Sequence, residues 1–322
     1  MADGSKIEAL KTLLRQEVAA FCRLDDTPRW KKGISSTLQE IRANNWPAVF
    51  FGGTLRSLLL SRLVVGTAWK PRDLDIVVWG VGLSELERQF NRFISRKTRF
   101  GGLHLKRFSW EFDLWPLERT YALLNECNAQ HDFWHLPTST FLNLEAVAMD
   151  IWPQPGHLRE IYSAEDQFFT GIITRTLELN REENPFPELS VVRALVLAGD
   201  LQLKTVNLPW KIGPRLLRYI ARYGADLSDA DLLDIQVKHY GKVQWHQATL
   251  RRVLDYIDRH LDTLPDEPVE LPLQRQLVLW GDEVREENWG HIRVSTIKSS
   301  DSNRRQFDSK IAPSEKDSVR NR

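Results

Sequence analysis

Asp73 and Asp75 alternate with Leu74 and Ile76 in the run Lys70-Pro-Arg-Asp-Leu-Asp-Ile-Val-Val78. Residues two apart on a strand face the same way, so this spacing puts both carboxylates on one side. Carboxylates held side by side repel each other unless a cation lies between them, and hard oxygen donors suit Mg²⁺. Upstream, Val49–Phe51 runs into Gly52-Gly53 and then into the apolar segment Thr54–Leu60. Glycines at the start of a helix let backbone N–H groups approach a phosphate closely. Arg56, Lys70 and Arg72 flank these elements and are the cations placed to offset phosphate charge.

A third acid, Asp113, lies in the aromatic and aliphatic run Phe108–Pro116, which reads as a buried strand. An acid there is costly unless it is paired or coordinates a metal. Gly-Gly, then Asp-x-Asp, then a lone Asp on a later strand is the order that a two-metal phosphoryl-transfer site needs. Two Mg²⁺ ions would divide the work, one on a triphosphate and one at an attacking hydroxyl close to Asp75 and Asp113. Bland alternatives stand beside this reading. Asp73 and Asp75 could mark a solvated strand end, and Asp113 could be ion-paired to an arginine.

The elements that must position these residues follow from periodicity. Residues 5–24 and 34–44 read as amphipathic helices leading into the Val49–Gly53 strand. An α/β core follows to about residue 120, with a helix over Leu83–Lys97, and a mixed helix-and-turn stretch closes it near residue 180. Segments Glu188–Leu201, Gly213–Tyr223, Ser228–Tyr240 and Trp245–Leu261 carry apolar residues at helical spacing. Thr263–Pro272 breaks the pattern before a last helix at 273–288, and the polar stretch 291–322 reads as a disordered tail. The expected fold class is α+β, a mixed sheet flanked by helices and followed by an all-helical part. The expected divisions are 1–44 N-terminal helices, 45–180 catalytic, 181–290 helical and 291–322 tail.

Gly52-Gly53-x-x-Arg56 with Leu58-Leu59-Leu60, followed by Lys70–Val78, resembles the head domain of bacterial poly(A) polymerases and class II CCA-adding tRNA nucleotidyltransferases. These are members of the DNA polymerase beta superfamily. Phe141–Asp150 is similar to that family's Arg-Arg-Asp-Phe-Thr-Ile-Asn-Ala-Leu-Ala segment, and Glu165-Asp166 with Gly171-Ile172-Ile173 to its Glu-Asp-Leu turn. Val191–Leu195 is similar to the arginine-bearing helix of the neck. The resemblance spans roughly residues 45–205 in the family's own order. It implies that the mixed sheet is of nucleotidyltransferase type. It also implies Asp73, Asp75 and Asp113 as catalytic metal ligands for two Mg²⁺, and a nucleoside triphosphate held by Gly52, Gly53, Arg56, Lys70, Arg72 and Arg193.

The chain also departs from the family. Ser57 replaces the aspartate after the first arginine, Ser139 and Thr140 fall where paired arginines are expected, and Ser190 replaces the first neck arginine, with Glu188 only a loose substitute for its acid. The resemblance therefore implies the reaction class, transfer of a nucleotide to a hydroxyl, without the family's base-reading set. The expected acceptor is an RNA 3′ end, tRNA or another small RNA. A protein or small-molecule acceptor, as in a toxin or defence system, and a non-catalytic RNA- or nucleotide-binding module are the alternatives.

Two arginine stripes suit a polyanion: Arg88, Arg92 and Arg96 along the Leu83–Lys97 helix, and Arg215, Arg218 and Arg222 interleaved with Tyr219 and Tyr223. A solvated helix face is the alternative for each. His131 and His135 lie at metal-ligand spacing but lack further ligands, so a structural role is favoured. Trp110, Trp115, Trp134 and Trp152 fall around the candidate region, where core packing is the default. Two cysteines, Cys22 and Cys127, make neither a disulfide framework nor a zinc pattern, which favours a reducing cytoplasm. The 322 residues contain no apolar run of membrane-spanning length and no signal core at the N-terminus, so no membrane partner is expected. A net charge of +1 argues against a chain coated in nucleic acid and leaves room for local patches. Oligomeric state leaves no trace in the sequence.

Overall fold

Strand alternation decides which face of the central sheet receives each side chain, and so where acids can gather. The computed structural model describes residues 4–23, 32–64, 71–98, 101–124, 132–204, 209–260 and 266–271. They belong to the first of two units, Met1–Arg275; the second, Gln276–Arg322, lies outside the described residues. Lys70, Cys127, His131, the expected 273–288 helix and the 291–322 tail also lie outside them.

Helices α1 (Gly4–Phe21) and α2 (Lys32–Ala43) lead into β1 (Ala48–Phe51), α3 (Gly53–Leu63) and β2 (Leu74–Val78). Then come α4 (Leu83–Phe90), β3 (Ile94–Lys97), β4 (Leu103–Arg107) and β5 (Trp110–Pro116). Short helices α5 (Tyr121–Leu124) and α6 (His135–Thr138) precede β6 (Ala148–Asp150), β7 (Ile161–Tyr162), α7 (Gln167–Thr174) and β8 (Thr176–Leu177). Last are α8 (Pro187–Lys204), β9 (Lys211–Ile212), α9 (Pro214–Gly224), α10 (Asp229–Tyr240) and α11 (Gln247–Arg259).

The seven-stranded sheet runs β3-β4-β5-β2-β1-β6-β7, and β8 pairs with β9 separately. Within the large sheet β2 and β5 pair in parallel, and the other neighbours are antiparallel. Leu74, Ile76 and Val78 of β2, Phe112 and Leu114 of β5, and Phe50 of β1 enter the main core with Leu14, Val18, Leu38 and Ile41 of the first two helices. Val49 and Val77 point to the other face, where Leu117, Phe133, Leu136 and Ala148 make a smaller cluster. Asp75, Asp113 and Trp115 share that thinner face by alternation.

Four expectations are corrected. The Leu83–Lys97 helix ends at Phe90, and residues 94–97 form edge strand β3 on β4. Arg96 and Lys97 lie on that edge, where charged residues discourage pairing with another chain, so Arg88, Arg92 and Arg96 do not share a helix face. The strand expected from Phe108 begins at Trp110, because Phe108 is a turn residue at φ 55° and is exposed. The stretch before residue 180 adds β6 and β7 to the large sheet and β8 to the small one, pieces of two or three residues that periodicity is too short to register. Of the four tryptophans, only Trp115 lines the cavity described below; Trp110 and Trp152 pack on the main core and Trp134 is exposed against Tyr162.

In the helical part, Ser228 caps α10 by accepting from the Asp231 N–H, while the Asp231 carboxylate accepts from the Ser228 N–H. Gln236 ties α10 to the approach of α11. Its Oε1 accepts from the backbone N–H groups of Gln244 (3.0 Å) and Trp245 (2.9 Å), and its Nε2 donates to the carbonyls of Leu232 and Trp245. Gln236 is fully buried, so Gln236→Leu would strand two backbone donors. The expected loss is about 2–4 kcal/mol, read as a lower urea midpoint with an unchanged m value.

Candidate active site

Gly52 takes φ 58° and ψ −121°, a conformation that side chains other than hydrogen resist, and it turns β1 into α3 at once. The Thr54 hydroxyl, in the first turn of α3, accepts from the Asp75 backbone N–H at 2.9 Å. That bond pins the acid-bearing strand to the start of the helix. A Cβ on Gly53 would lie 3.4 Å from Arg56 Nη2 and 3.9 Å from Asp75 Oδ2, so glycine keeps the helix start open beside both charges.

Asp75 on β2 is the registered partner of Asp113 on β5, and Asp73 lies just ahead of β2. Burial pushes the Asp75 carboxyl well above the usual carboxylate range, and the neighbouring Asp73, Asp113 and Glu145 push it further. Asp113 is likewise raised by burial, opposed by His104, whose Nδ1 lies 2.6 Å from Asp113 Oδ1. The hydrogen-bonding partner of Asp113 is thus a buried histidine, and the arginine that acts on it, Arg96, does so as a more distant charge. Asp73 is engaged by Arg72 at 2.7 Å, and the Arg72 guanidinium lies 5.1 Å from the centre of the Tyr240 ring.

Behind the glycine pair, Glu145 holds two arginines. Its Oε1 accepts from Arg56 Nη1 and its Oε2 from Arg193 Nη2, each at 2.9 Å. Burial alone would raise Glu145, but the guanidiniums of Arg193 and Arg56 take it down to about 2. On the far wall, burial together with Arg193 and Arg72 takes His239 down to about 4, so its imidazole is neutral at pH 7, and burial pushes the Tyr240 hydroxyl up to about 12.

These groups surround one cavity of about 1080 Å³. Gly52, Gly53, Arg56, Arg72, Asp73, Asp75, Asp113 and Arg193 all line it. Lys70 lies outside the described residues. Arg215, Arg218 and Arg222 are not part of the lining: they lie exposed on α9, with Arg218 paired to Asp266 and Arg222 to Glu182. Tyr219, between them, is buried against Phe141 and is not free to stack. Periodicity gave no sign of Glu145, His104 or Tyr240. Glu145 and Tyr240 act through partners far away in sequence, and His104 through a partner across a strand pair, so a lone polar residue between leucines or alanine was the only trace of Glu145 and His104.

Among the described residues, no three His, Cys, Asp or Glu side chains gather around one point as a preformed metal site. The donor chemistry still fits a hard cation. All three aspartates are oxygen donors on one cavity wall, and Asp75 faces an excess of negative charge.

No protein-family model and no curated protein matches the chain. Solved structures similar to it include a CCA-adding enzyme in complex with ATP, at TM-score 0.48 and 15% identity over 75% of this chain and 53% of that one. The Bacillus stearothermophilus CCA-adding enzyme in complex with CTP gives 0.47 and 16%, over 70% and 51%. A tRNA-processing enzyme in an apo form gives 0.43 and 16%, over 75% and 68%. The chain thus spans about half to two thirds of these proteins. Similarity at this level carries no argument about substrate or activity.

The two acids at the centre have opposite effects on stability. Glu145 is depressed on folding, so its contribution is complete above its ordinary 4.5 and is lost as pH falls toward 2. Glu145→Gln is expected to cost about 3 kcal/mol at pH 7 and to flatten the acid limb of the stability–pH curve. Asp75 is raised on folding, so its cost to stability sets in as pH rises past its ordinary 3.8 and is complete once pH passes its higher folded value. Asp75→Asn should therefore stabilise the metal-free protein, by about 1 kcal/mol in chemical denaturation with EDTA.

Proposed function

We propose that the protein is a metal-dependent nucleotidyltransferase that joins a nucleoside monophosphate from a triphosphate to the 3′ hydroxyl of an RNA. The observation that carries this reading is the registered pair Asp75 and Asp113, set beside a glycine-opened helix start. The ordered motif resemblance over residues 45–205 supports the same class. The division into a catalytic part, 45–180, and a helical part, 181–290, belongs to the proposal.

In this reading Asp73, Asp75 and Asp113 hold Mg²⁺, which when bound supplies Lewis-acid activation of the α-phosphate and offsets charge on the leaving group. The N-terminus of α3, opened by Gly52 and Gly53, receives the β- and γ-phosphates. Arg56, Arg72 and Arg193 add positive charge along that wall, with Lys70 as a further cation. The acceptor oxygen attacks the α-phosphorus in line, a new P–O bond forms, the bond to the β-phosphate oxygen breaks, and pyrophosphate leaves. His104 occupies Asp113 Oδ1, which leaves the second oxygen of Asp113 as the one that would hold Mg²⁺ beside the acceptor hydroxyl, whose proton passes to water.

The base-facing side lacks the carboxylate and paired arginines of the CCA-adding family, and Arg193 is committed to Glu145. A site without directed hydrogen bonds to a base edge discriminates weakly. The preferred triphosphate should exceed the others in kcat/KM by no more than about tenfold, equivalent to about 1.4 kcal/mol, with no ordered C-C-A addition. Strict sequential C, C, A incorporation onto a truncated tRNA would overturn that statement. For the reaction itself, the Asp73→Ala/Asp75→Ala double variant should lose Mg²⁺-dependent incorporation of labelled nucleotide. Full activity in that variant would remove the proposal.

A further inference from the structure

The strand register extends the acid pair into a row across four strands. Asp75 on β2 pairs with Asp113 on β5, Asp113 with His104 on β4, and His104 with Arg96 on β3. Registered partners share a face, so all four belong to the cavity face of the sheet. The row therefore leads from the acids to an exposed cation on the sheet edge. Arg96 has no ion-pair partner among the described residues, whereas its neighbour Lys97 is held by Glu87 at 2.6 Å. Arg96, Lys97, Thr98 and Trp115 line the cavity at this end, away from the arginines at Glu145.

Trp115, two residues beyond Asp113 on the same strand, is held rigidly. Its indole Nε1–H donates to Thr98 Oγ1 at 3.2 Å, and the Gly102 N–H donates to the same oxygen at 2.8 Å. A Cβ on Gly102 would lie 2.0 Å from the indole ring, so glycine there makes room for the tryptophan. A fixed, partly exposed indole beside an exposed arginine, which feels the Asp113 carboxylate but is held by no close ion pair, is a combination that serves a nucleic-acid strand. The ring takes a base and the guanidinium takes a phosphate.

We infer that this end of the cavity is the acceptor track. The terminal hydroxyl of a single-stranded RNA lies at Asp113, its terminal base stacks on Trp115, and a backbone phosphate just upstream is met by Arg96. Two strand spacings, roughly 10 Å, separate the Asp113 and Arg96 backbones, and an arginine side chain reaching inward shortens that span. The inference rests on the proposed nucleotidyl transfer for the role of Asp113, and on the register and the Trp115 setting for the rest. It also divides the cavity: triphosphate at α3 and the Glu145 arginines, acceptor at the β3 edge.

The test uses the full chain with Mg²⁺, labelled triphosphates and a single-stranded RNA bearing a free 3′ hydroxyl. Arg96→Ala and Trp115→Ala should each raise KM for the RNA about tenfold and leave KM for the triphosphate within about twofold, with Trp115→Phe restoring RNA affinity. Arg96→Ala should also lower the slope of log affinity against log salt by about one. Fluorescence anisotropy of the same RNA without triphosphate gives a readout that needs no transfer. Arg96 is exposed on an edge strand, so its variant tests the track even where Trp115→Ala fails to fold. Wild-type RNA affinity in Arg96→Ala overturns the inference, as does label passing to protein or a small molecule while RNA stays inert. If wild type transfers nothing to any acceptor and Arg96→Ala still loses RNA binding, the track stands and the proposed reaction falls.

Discussion

Like charges held on adjacent strands are what the rest of this molecule is arranged to tolerate. Asp75 and Asp113 face each other across a parallel pair, with Asp73 and Glu145 close by, and burial strengthens the repulsion. The surrounding structure answers by giving every acid but one a cationic or hydrogen-bonding partner. Arg72 takes Asp73, His104 takes Asp113, and Arg56 and Arg193 together take Glu145. Among the described residues the Asp75 carboxyl has no hydrogen-bonding partner; Thr54 holds its backbone, and the charge of Arg72 offsets only part of the repulsion on it. A chain selected for stability alone would place an apolar or amide side chain there.

Glu145 also sets how the parts of the chain meet. Its two oxygens join α3, which begins at the glycine pair, to α8, which begins the helical series. Breaking one of these contacts would leave a buried guanidinium facing the other without a counter-charge, which is far costlier than losing a surface pair. The helical part is thereby locked to the glycine-opened end of the cavity, while the β3 edge lies several strands away. Any movement of α8 reaches Arg56 and the start of α3 through one carboxylate.

The sequence carried the parts of this arrangement that follow from local spacing. Asp-x-Asp flanked by apolar residues, a glycine pair between a strand and a helix, and helical periodicity over 187–259 are all short-range patterns, and their elements lie within a few residues of the expected places. Register was not legible. That Asp113 is the registered partner of Asp75 depends on β2 and β5 pairing in parallel, and that Arg96 faces His104 depends on β3 being a strand. Four residues following a helix, two of them charged, resemble a continued helix face. The tyrosine between the α9 arginines shows the converse error. Spacing placed Tyr219 on an arginine-rich stretch, but helical geometry turns it inward onto Phe141.

The partners of the acids differ in how easily they could be exchanged for a cation, and that difference orders the site. Arg72 is half-exposed and lies over the Tyr240 ring, so it has a second resting place if Asp73 turns to another charge. His104 is almost wholly buried between Asp113 and Glu111 and has no such alternative, so it fixes the orientation of Asp113 in any state of the cavity. Arg56 and Arg193 cannot leave Glu145 without exposing a buried charge. Asp73 is therefore the adaptable member of the acid set and Asp113 the rigid one. Under the proposed nucleotidyl transfer, a rigid acid belongs where an attacking atom must be aimed, and an adaptable one where a metal–triphosphate would enter and pyrophosphate would leave.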